Sequence, residues 1–156
     1  MKYDDASWHY GGDFPADLPQ AAGGTHIAMF VVWCWLNDLG GEDFIEEFPD
    51  ALEAAKARTK TPFEIFSLVS DEKFIDDDLN EEGNAFALFY YGAGGEMKAY
   101  LSDYEAAVAA TLPSTYHVPD TWQTYDKLAP VILRRFKAWQ SPQKSWLEKL
   151  WPNTKR

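Results

Sequence analysis

At residues 25–41 the chain reads THIAMFVVWCWLNDLGG, and residues 27–36 of this stretch form its longest nearly continuous apolar run. A helix that is apolar on every face lies at the centre of a fold. Thr25 is a typical N-cap residue and the Gly40-Gly41 pair is typical of a helix end, which predicts a helix over residues 26–39. A membrane span needs about 20 apolar residues, more than this run contains. We therefore expect a buried central helix and no membrane contact.

Helical spacing of apolar residues continues after this stretch. Residues 42–58 fit two short helices, because Pro49 either divides the stretch or begins the second helix. The sequence Thr61-Pro62-Phe63-Glu64 matches a capping box with proline at the first helical position, and it predicts another short helix. Asp78 and Glu81 have the same capping spacing and predict a helix directly after them.

The segment FALFYY, at residues 86–91, admits two interpretations. It extends a helical stripe, and it is also apolar enough for a buried strand. Because it has no polar–apolar alternation and no evident partner strand, the sequence favours a helix that ends near residue 91. The alternative is an α+β fold with a small sheet around residues 85–91.

The remaining segments complete a mainly α prediction. Residues 97–108 keep helical spacing, and residues 120–139 carry the apolar stripe of a long helix that Pro130 should kink. Residues 1–24 are rich in glycine, proline and aromatic residues, which is typical of an irregular arm packed on the body. We expect one helical-bundle domain over residues 1–140, with the apolar helix at its centre.

The distribution of charge limits the possible partners. The net charge is −11, but residues 1–110 hold 22 acidic and 6 basic residues, a net −16, whereas residues 111–156 hold 3 and 8, a net +5. An acidic body repels nucleic acid and anionic lipid and attracts a cationic partner. Acidity that serves only solubility is the open alternative. Residues 141–156 are predicted to form a short amphipathic basic tail, with apolar residues Trp146, Leu147, Leu150 and Trp151.

Cysteine usage and the lack of standard motifs argue against secretion and against catalysis. Cys34 is the single cysteine, so no intramolecular disulfide can form. The opening lacks the basic and apolar segments of a secretory signal, and we expect residence in the reducing cytoplasm. The chain has no phosphate-binding glycine loop, dinucleotide fingerprint or nucleophile elbow. Cys34 lies in the most apolar segment, which disfavours a thiolate. We expect no enzymatic activity and no cofactor.

The histidines offer one possible metal site. His9 and His26 could meet in space, with Asp4, Asp5 or Asp13 beside them, and such a group would suit a metal that prefers nitrogen and oxygen ligands. No two histidines have the i, i+4 spacing of a helical metal motif. We favour the simpler interpretation, in which His26 satisfies local polar groups at a helix start and His9 packs among Trp8 and Tyr10, and we expect no bound metal.

Exposed acidic residues are the candidates for partner binding. The densest run, residues 76–82, lacks the glycine and the final acid of an EF-hand loop. It is typical of a solvated helix start, where carboxylates are stabilised by the helix dipole, and its specific use would be contact with Lys and Arg of a partner. The candidate residues are Glu46, Glu47, Asp50, Asp76, Asp77, Asp78, Glu81 and Glu82.

Two long motifs carry a resemblance to a family. One is the opening KYDDASWHYGGDFP at residues 2–15, continued by GTHIAMF at residues 24–30; the other is LNEEGNAFA at residues 79–87. Together they resemble an uncharacterised family of small bacterial proteins with the same opening, over roughly residues 2–140. The resemblance implies no chemistry and transfers no catalytic residue.

A looser similarity suggests a function. In size, acidity and lack of catalytic motifs the chain resembles the small acidic immunity proteins of interbacterial toxin systems, as in colicins, contact-dependent inhibition and type VI secretion. The similarity implies a stand-alone cytoplasmic domain that binds a cognate toxin domain, encoded nearby, and blocks its active site. The alternatives are another protein-binding role, such as an adaptor, a secretion chaperone or a structural subunit, and a metal-dependent enzyme.

Overall fold

The fold is mainly α, as the sequence predicts. The computed structural model describes residues 1–150, except the side chain of Ser145. The helices are α1 (Thr25–Leu36), α2 (Glu42–Glu47), α3 (Pro49–Ala57), α4 (Pro62–Ser70), α5 (Glu81–Tyr90), α6 (Ala99–Tyr104) and α7 (Trp122–Leu150). The strands are β1 (Lys2–Asp5), β2 (Lys73–Ile75), β3 (Gly92–Ala93) and β4 (Glu96–Met97). Among residues 1–150, no helix is long and apolar enough to cross a bilayer.

Helix α1 is the centre of the core. Every residue from Thr25 to Trp35 is buried, and the helix packs against α3, α4 and α7. Trp33 is 2% exposed, and its ring lies 6.1 Å from that of Phe86 and 5.7 Å from that of Phe136. The predicted central apolar helix is confirmed.

Both ends of α1 differ from the prediction. Gly24 is the N-cap, and Thr25 is already helical. The helix ends at Leu36 because the Asn37 side-chain amide donates to the carbonyl of Trp33 at 2.8 Å, and Asp38 then takes a left-handed conformation with φ 62°. Local side-chain bonding of this kind competes with helix continuation.

The other helix predictions are largely confirmed. A break at Phe48 separates α2 from α3, which starts at Pro49, and both hydrogen bonds of the predicted capping box are present at the start of α4. Residues 86–90 are helical, with Phe86 buried and Phe89 exposed, so the strand alternative is wrong. The N-cap of α5 is Asn80, whose side chain accepts from the amide of Gly83, and not Asp78.

The N-terminal arm is more regular than predicted. Residues 2–5 form β1, which pairs antiparallel with β2, and residues 6–9 and 20–24 form 3-10 helices. The register pairs Asp4 with Phe74, and an irregularity lies between Lys2 and Asp4. This pairing holds Asp4 inside the protein beside the start of α1.

Near the middle of the chain, the helical spacing predicted over residues 97–108 holds only in part. A tight turn at Gly94 and Gly95 joins β3 and β4. Within β3, Gly92 has φ 101°, and a Cβ there would approach the carbonyl oxygen of Glu96 to 1.8 Å. Met97 belongs to β4, and α6 is followed by a π-helical turn over residues 105–109.

Helix α7 begins later and ends later than predicted. Asp120 lies outside it because its carboxylate accepts from the hydroxyl of Thr61 and from the amide of Phe63, across the start of α4. The helix passes Pro130 and Pro142 and continues to Leu150. The predicted basic tail is therefore helical over the residues described, whereas its last apolar residue, Trp151, lies outside them.

Candidate functional site

An acidic groove lies between α2 and the turn before α5. It is a cavity of about 660 Å³, open to solvent. Its acidic lining residues, which define the acidic groove hereafter, are Glu42, Asp43, Glu47, Asp76 and Asp77. Phe44 and Leu79 also line it, so apolar surface accompanies the charges.

Backbone contacts hold the two sides of the acidic groove together. The amide of Gly41 donates to the carbonyl of Asp78 at 3.0 Å, and the amide of Asn80 donates to the carbonyl of Leu39 at 2.9 Å. A side chain at Gly41 would not fit, since a Cβ there would lie 2.5 Å from the carbonyl oxygen of Asp77. The fold thus brings together carboxylates that are about 30 positions apart in sequence.

Few carboxylates of the acidic groove have a cationic partner among the described residues. Asp76 lies 2.9 Å from the amino nitrogen of Met1. Within residues 1–150, none of the other four acidic side chains of the groove makes an ion pair. Like charges in one concave surface concentrate the negative potential, which attracts cationic ligands.

The eight acidic candidates fall into three groups. Glu47, Asp76 and Asp77 line the acidic groove, although Asp76 is partly buried. Exposed candidates that do not line the groove are Glu46, Asp50, Glu81 and Glu82. Asp78 is buried, so its prediction as an exposed contact is wrong. Sequence reasoning missed Glu42 and Asp43 as site residues, although their position after Gly41, at a helix start, was visible.

Asp78 is turned inward to complete a local turn. Its Oδ2 accepts from the backbone amide of Ile75 at 3.0 Å. Burial raises the pKa of Asp78 to about 7, and the charges of Asp77 and Asp76 contribute to this rise. The hydrogen bond from the amide of Ile75 acts in the opposite direction and lowers the pKa. A protonated carboxyl is therefore accessible near neutral pH.

A second polar cluster joins Asp4, His9 and His26. Nε2 of His9 lies 2.9 Å from Oδ1 of Asp4, and Nε2 of His26 lies 3.3 Å from Oδ2. The two imidazole rings meet edge to face with centroids 4.5 Å apart. One ligand atom from each of the three residues lies within 4.8 Å of the other two. The arrangement is buried apart from His9, whose side chain is 17% exposed.

Further hydrogen bonds surround this cluster. The hydroxyl of Tyr91 donates to Oδ2 of Asp4 at 2.6 Å, and the backbone amide of Asp5 donates to Oδ1 at 2.8 Å. Nδ1 of His9 lies 2.9 Å from the hydroxyl of Tyr116. Asp4 is therefore saturated with donors, which compensates the cost of burying a carboxylate.

The charge state of the cluster follows from these contacts. Burial raises the pKa of Asp4, but the hydrogen bonds from His26 and His9 outweigh it, so the pKa lies well below its ordinary value. Burial lowers the pKa of His26 more than Asp4 raises it. An ionised Asp4 beside a neutral His26 is the favoured state at neutral pH.

The other residues considered from the sequence lie outside this cluster. The carboxylate of Asp5 accepts from Lys2 and Ser7, and Asp13 is exposed. His117 pairs with Asp17 instead. Cys34 is fully buried, and burial raises the pKa of its thiol well above the ordinary value, which disfavours a nucleophilic thiolate as expected.

Comparisons with known proteins add a family assignment. No curated protein and no solved structure is found to match this chain. One family model matches residues 2–118, a range that contains both the acidic groove and the Asp4, His9 and His26 cluster. The chain belongs to the family described as Domain of unknown function (DUF7832).

Proposed function

We propose that the protein binds a basic partner protein through the acidic groove, as a cytoplasmic inhibitor of the immunity type. The observation that carries the proposal is the convergence of five carboxylates on one concave surface, four of them without an ion pair among the described residues. Toxin domains that act on anionic substrates have cationic clefts, and this surface has the complementary charge.

The acidic groove combines two features that a protein interface needs. Its charges would speed the encounter, since complementary fields raise association rates to about 10⁸–10⁹ M⁻¹s⁻¹ at low salt. Phe44 and Leu79, which are 8% and 4% exposed, line the groove between the carboxylates and give a side chain of the partner a small apolar contact. Charge thus governs the approach, and apolar contact retains the partner.

The inhibitor role rests on likeness of type. The chain is small and acidic, and its sequence lacks the standard catalytic motifs, as in small immunity proteins. The other protein-binding roles are those of an adaptor, a secretion chaperone or a structural subunit. A protein in one of these roles would use the same docking surface but would not protect a cell from a toxin. Nucleic acid is not expected as a partner, because the groove would repel phosphates.

The test uses the product of the gene adjacent to the one that encodes this chain. Co-purification and light scattering should show a stable one-to-one complex, and expression of this chain should protect cells from that product. A complex without protection would favour an adaptor or chaperone role. If neither complex nor protection is found, the immunity proposal is wrong.

A further inference from the structure

We propose that Asp4, His9 and His26 bind one divalent transition-metal ion, of which Zn²⁺ is the reference case. The three residues come from β1, the following 3-10 helix and the start of α1, and both histidines direct Nε2 at the carboxylate of Asp4, His9 at Oδ1 and His26 at Oδ2. Two imidazoles and one carboxylate are a ligand set that Zn²⁺ and similar ions accept.

The spacing of the ligand atoms fits such an ion. Ligands at about 2.0–2.2 Å from a tetrahedral metal lie roughly 3.3–3.6 Å from one another. The Nε2 to oxygen distances are 2.9 Å for His9 and 3.3 Å for His26. These distances run to the two different oxygens of Asp4, and one ligand atom from each residue lies within 4.8 Å of the other two. Side-chain movements that draw these atoms closer would place all three ligands on one ion.

The surrounding hydrogen bonds match those of metal sites. Histidines that bind metals usually donate their other ring nitrogen to an outer partner, and ligating carboxylates are themselves hydrogen-bonded. Nδ1 of His9 faces the hydroxyl of Tyr116 at 2.9 Å, and Tyr91 donates to Asp4 at 2.6 Å. A phenol hydroxyl can both donate and accept a hydrogen bond. Tyr116 can therefore donate to Nδ1 of His9 when the proton is on Nε2, and accept from Nδ1 when a metal occupies Nε2.

Three protein ligands would leave one coordination position for water or another small ligand. Within residues 1–150, no further His, Cys, Asp or Glu joins the cluster. Structural zinc sites are closed by four protein ligands, whereas sites that bind an exchangeable ligand have three. The proposed site belongs to the second class. Its partly exposed member, His9, gives the ion a route from solvent.

This inference does not depend on the proposed function. The acidic groove and the metal cluster share no residue, and either can fail without the other.

The experiment titrates the full chain, stripped with a chelator and then freed of it, with Zn²⁺ by calorimetry and with Co²⁺ by visible absorption. We expect one equivalent of each ion to bind and the melting temperature to rise, since a ligand of the native state stabilises it. Tetrahedral Co²⁺ should give its characteristic d–d absorption. The variant His9→Gln should weaken binding by more than the ~10–100-fold caused by loss of an outer-shell partner.

The matched control is His117→Gln, which removes a histidine that pairs with Asp17 outside the cluster. It should leave Zn²⁺ affinity unchanged, and circular dichroism should show that both variants are folded. Failure of the folded wild-type chain to bind Zn²⁺ or Co²⁺ at one equivalent would overturn the proposal. So would equal loss of affinity in both variants, or wild-type affinity in a folded His9→Gln variant. Should His9→Gln not fold, the wild-type stoichiometry and Co²⁺ spectrum decide alone.

Discussion

The hydroxyl of Tyr91 donates a 2.6 Å hydrogen bond to Oδ2 of Asp4, which joins the end of α5 to β1. Both residues are buried, and 87 positions separate them in the sequence. An ionised carboxylate in this position depends on its donors, because water cannot replace one that is lost.

Tyr91→Phe should therefore destabilise the protein by about 1.5–3 kcal/mol, the range for a hydrogen bond to a charged group. The substitution keeps the ring and removes only the donor. Chemical denaturation followed by tryptophan fluorescence would measure the change in the free energy of unfolding.

Tyr104→Phe is the matched control for this prediction. Its hydroxyl is also buried, but it has no hydrogen-bond partner among the described residues. Its removal should be neutral or stabilising, because an unsatisfied buried hydroxyl costs free energy. Equal losses in the two variants would show that the Tyr91 hydroxyl has no special role.

The central position of α1 gives a second prediction. Trp33→Ala should cost about 3–5 kcal/mol, since a large aromatic side chain is lost from a close-packed core. Phe89→Ala is the control, because Phe89 is 57% exposed on α5. It should change the denaturation midpoint little. A Trp33→Ala variant with an unchanged midpoint would contradict the assignment of α1 to the centre.

Asp78 gives a pH-dependent prediction. Its pKa is about 7 in the folded protein, against about 3.9 in an unfolded chain, so the native state binds more protons between these values. Its contribution must therefore lower stability as pH rises from about 4 to 7, by on the order of 3 kcal/mol. Asp78→Asn keeps an acceptor for the amide of Ile75 and removes the titration.

The measurement compares Asp78→Asn with the wild-type chain by urea unfolding at several pH values. The variant should be the more stable protein at about pH 8, and its advantage should disappear near pH 4. Other titrating groups cancel in this comparison, since both proteins contain them. A difference that does not change with pH would contradict the raised pKa of Asp78.

The helices can be predicted from the sequence more completely than the candidate site. The continuous apolar run predicts α1 and the Thr61 capping box predicts α4, because both signals are local. Asp78 matches the spacing of an N-cap equally well, but its carboxylate bonds to Ile75 and leaves capping to Asn80. Local spacing cannot distinguish these two uses of one carboxylate.

The clustering of Asp4 with the two histidines depends on tertiary structure. From the sequence, Asp4, Asp5 and Asp13 are equal candidates for a metal ligand beside the two histidines. The pairing of β1 with β2 buries Asp4, and its carboxylate there meets His26. The N-terminal arm has no sequence periodicity that predicts this strand. The strand depends on pairing with residues about 70 positions away.

The end of α7 gives a prediction on truncation. Side chains described at residues 141–150 are exposed, whereas Trp139 packs 5.5 Å from the ring of Phe86. Deleting residues 142–156 should therefore cost less than about 1 kcal/mol and leave a cooperative melt. Deleting residues 136–156 also removes Phe136 and Trp139, and it should cost several times more. Similar melts for the two truncations would contradict the packing of α7.

The final prediction concerns the rate at which the proposed partner binds. Reversal of Glu42, Glu47 and Asp77 to lysine changes the acidic groove, whereas reversal of the exposed Asp13, Glu96 and Glu105 changes net charge equally elsewhere. Asp78 is excluded, since a lysine there would be buried. In stopped-flow measurements, association of the groove variant with the adjacent gene product should be about tenfold slower or more. Its association rate should also depend less on salt concentration, because less electrostatic attraction remains for salt to screen. Dissociation should change less, because apolar contacts retain the partner. If both triple variants slow association equally, net charge alone steers the encounter and the acidic groove is not the docking surface.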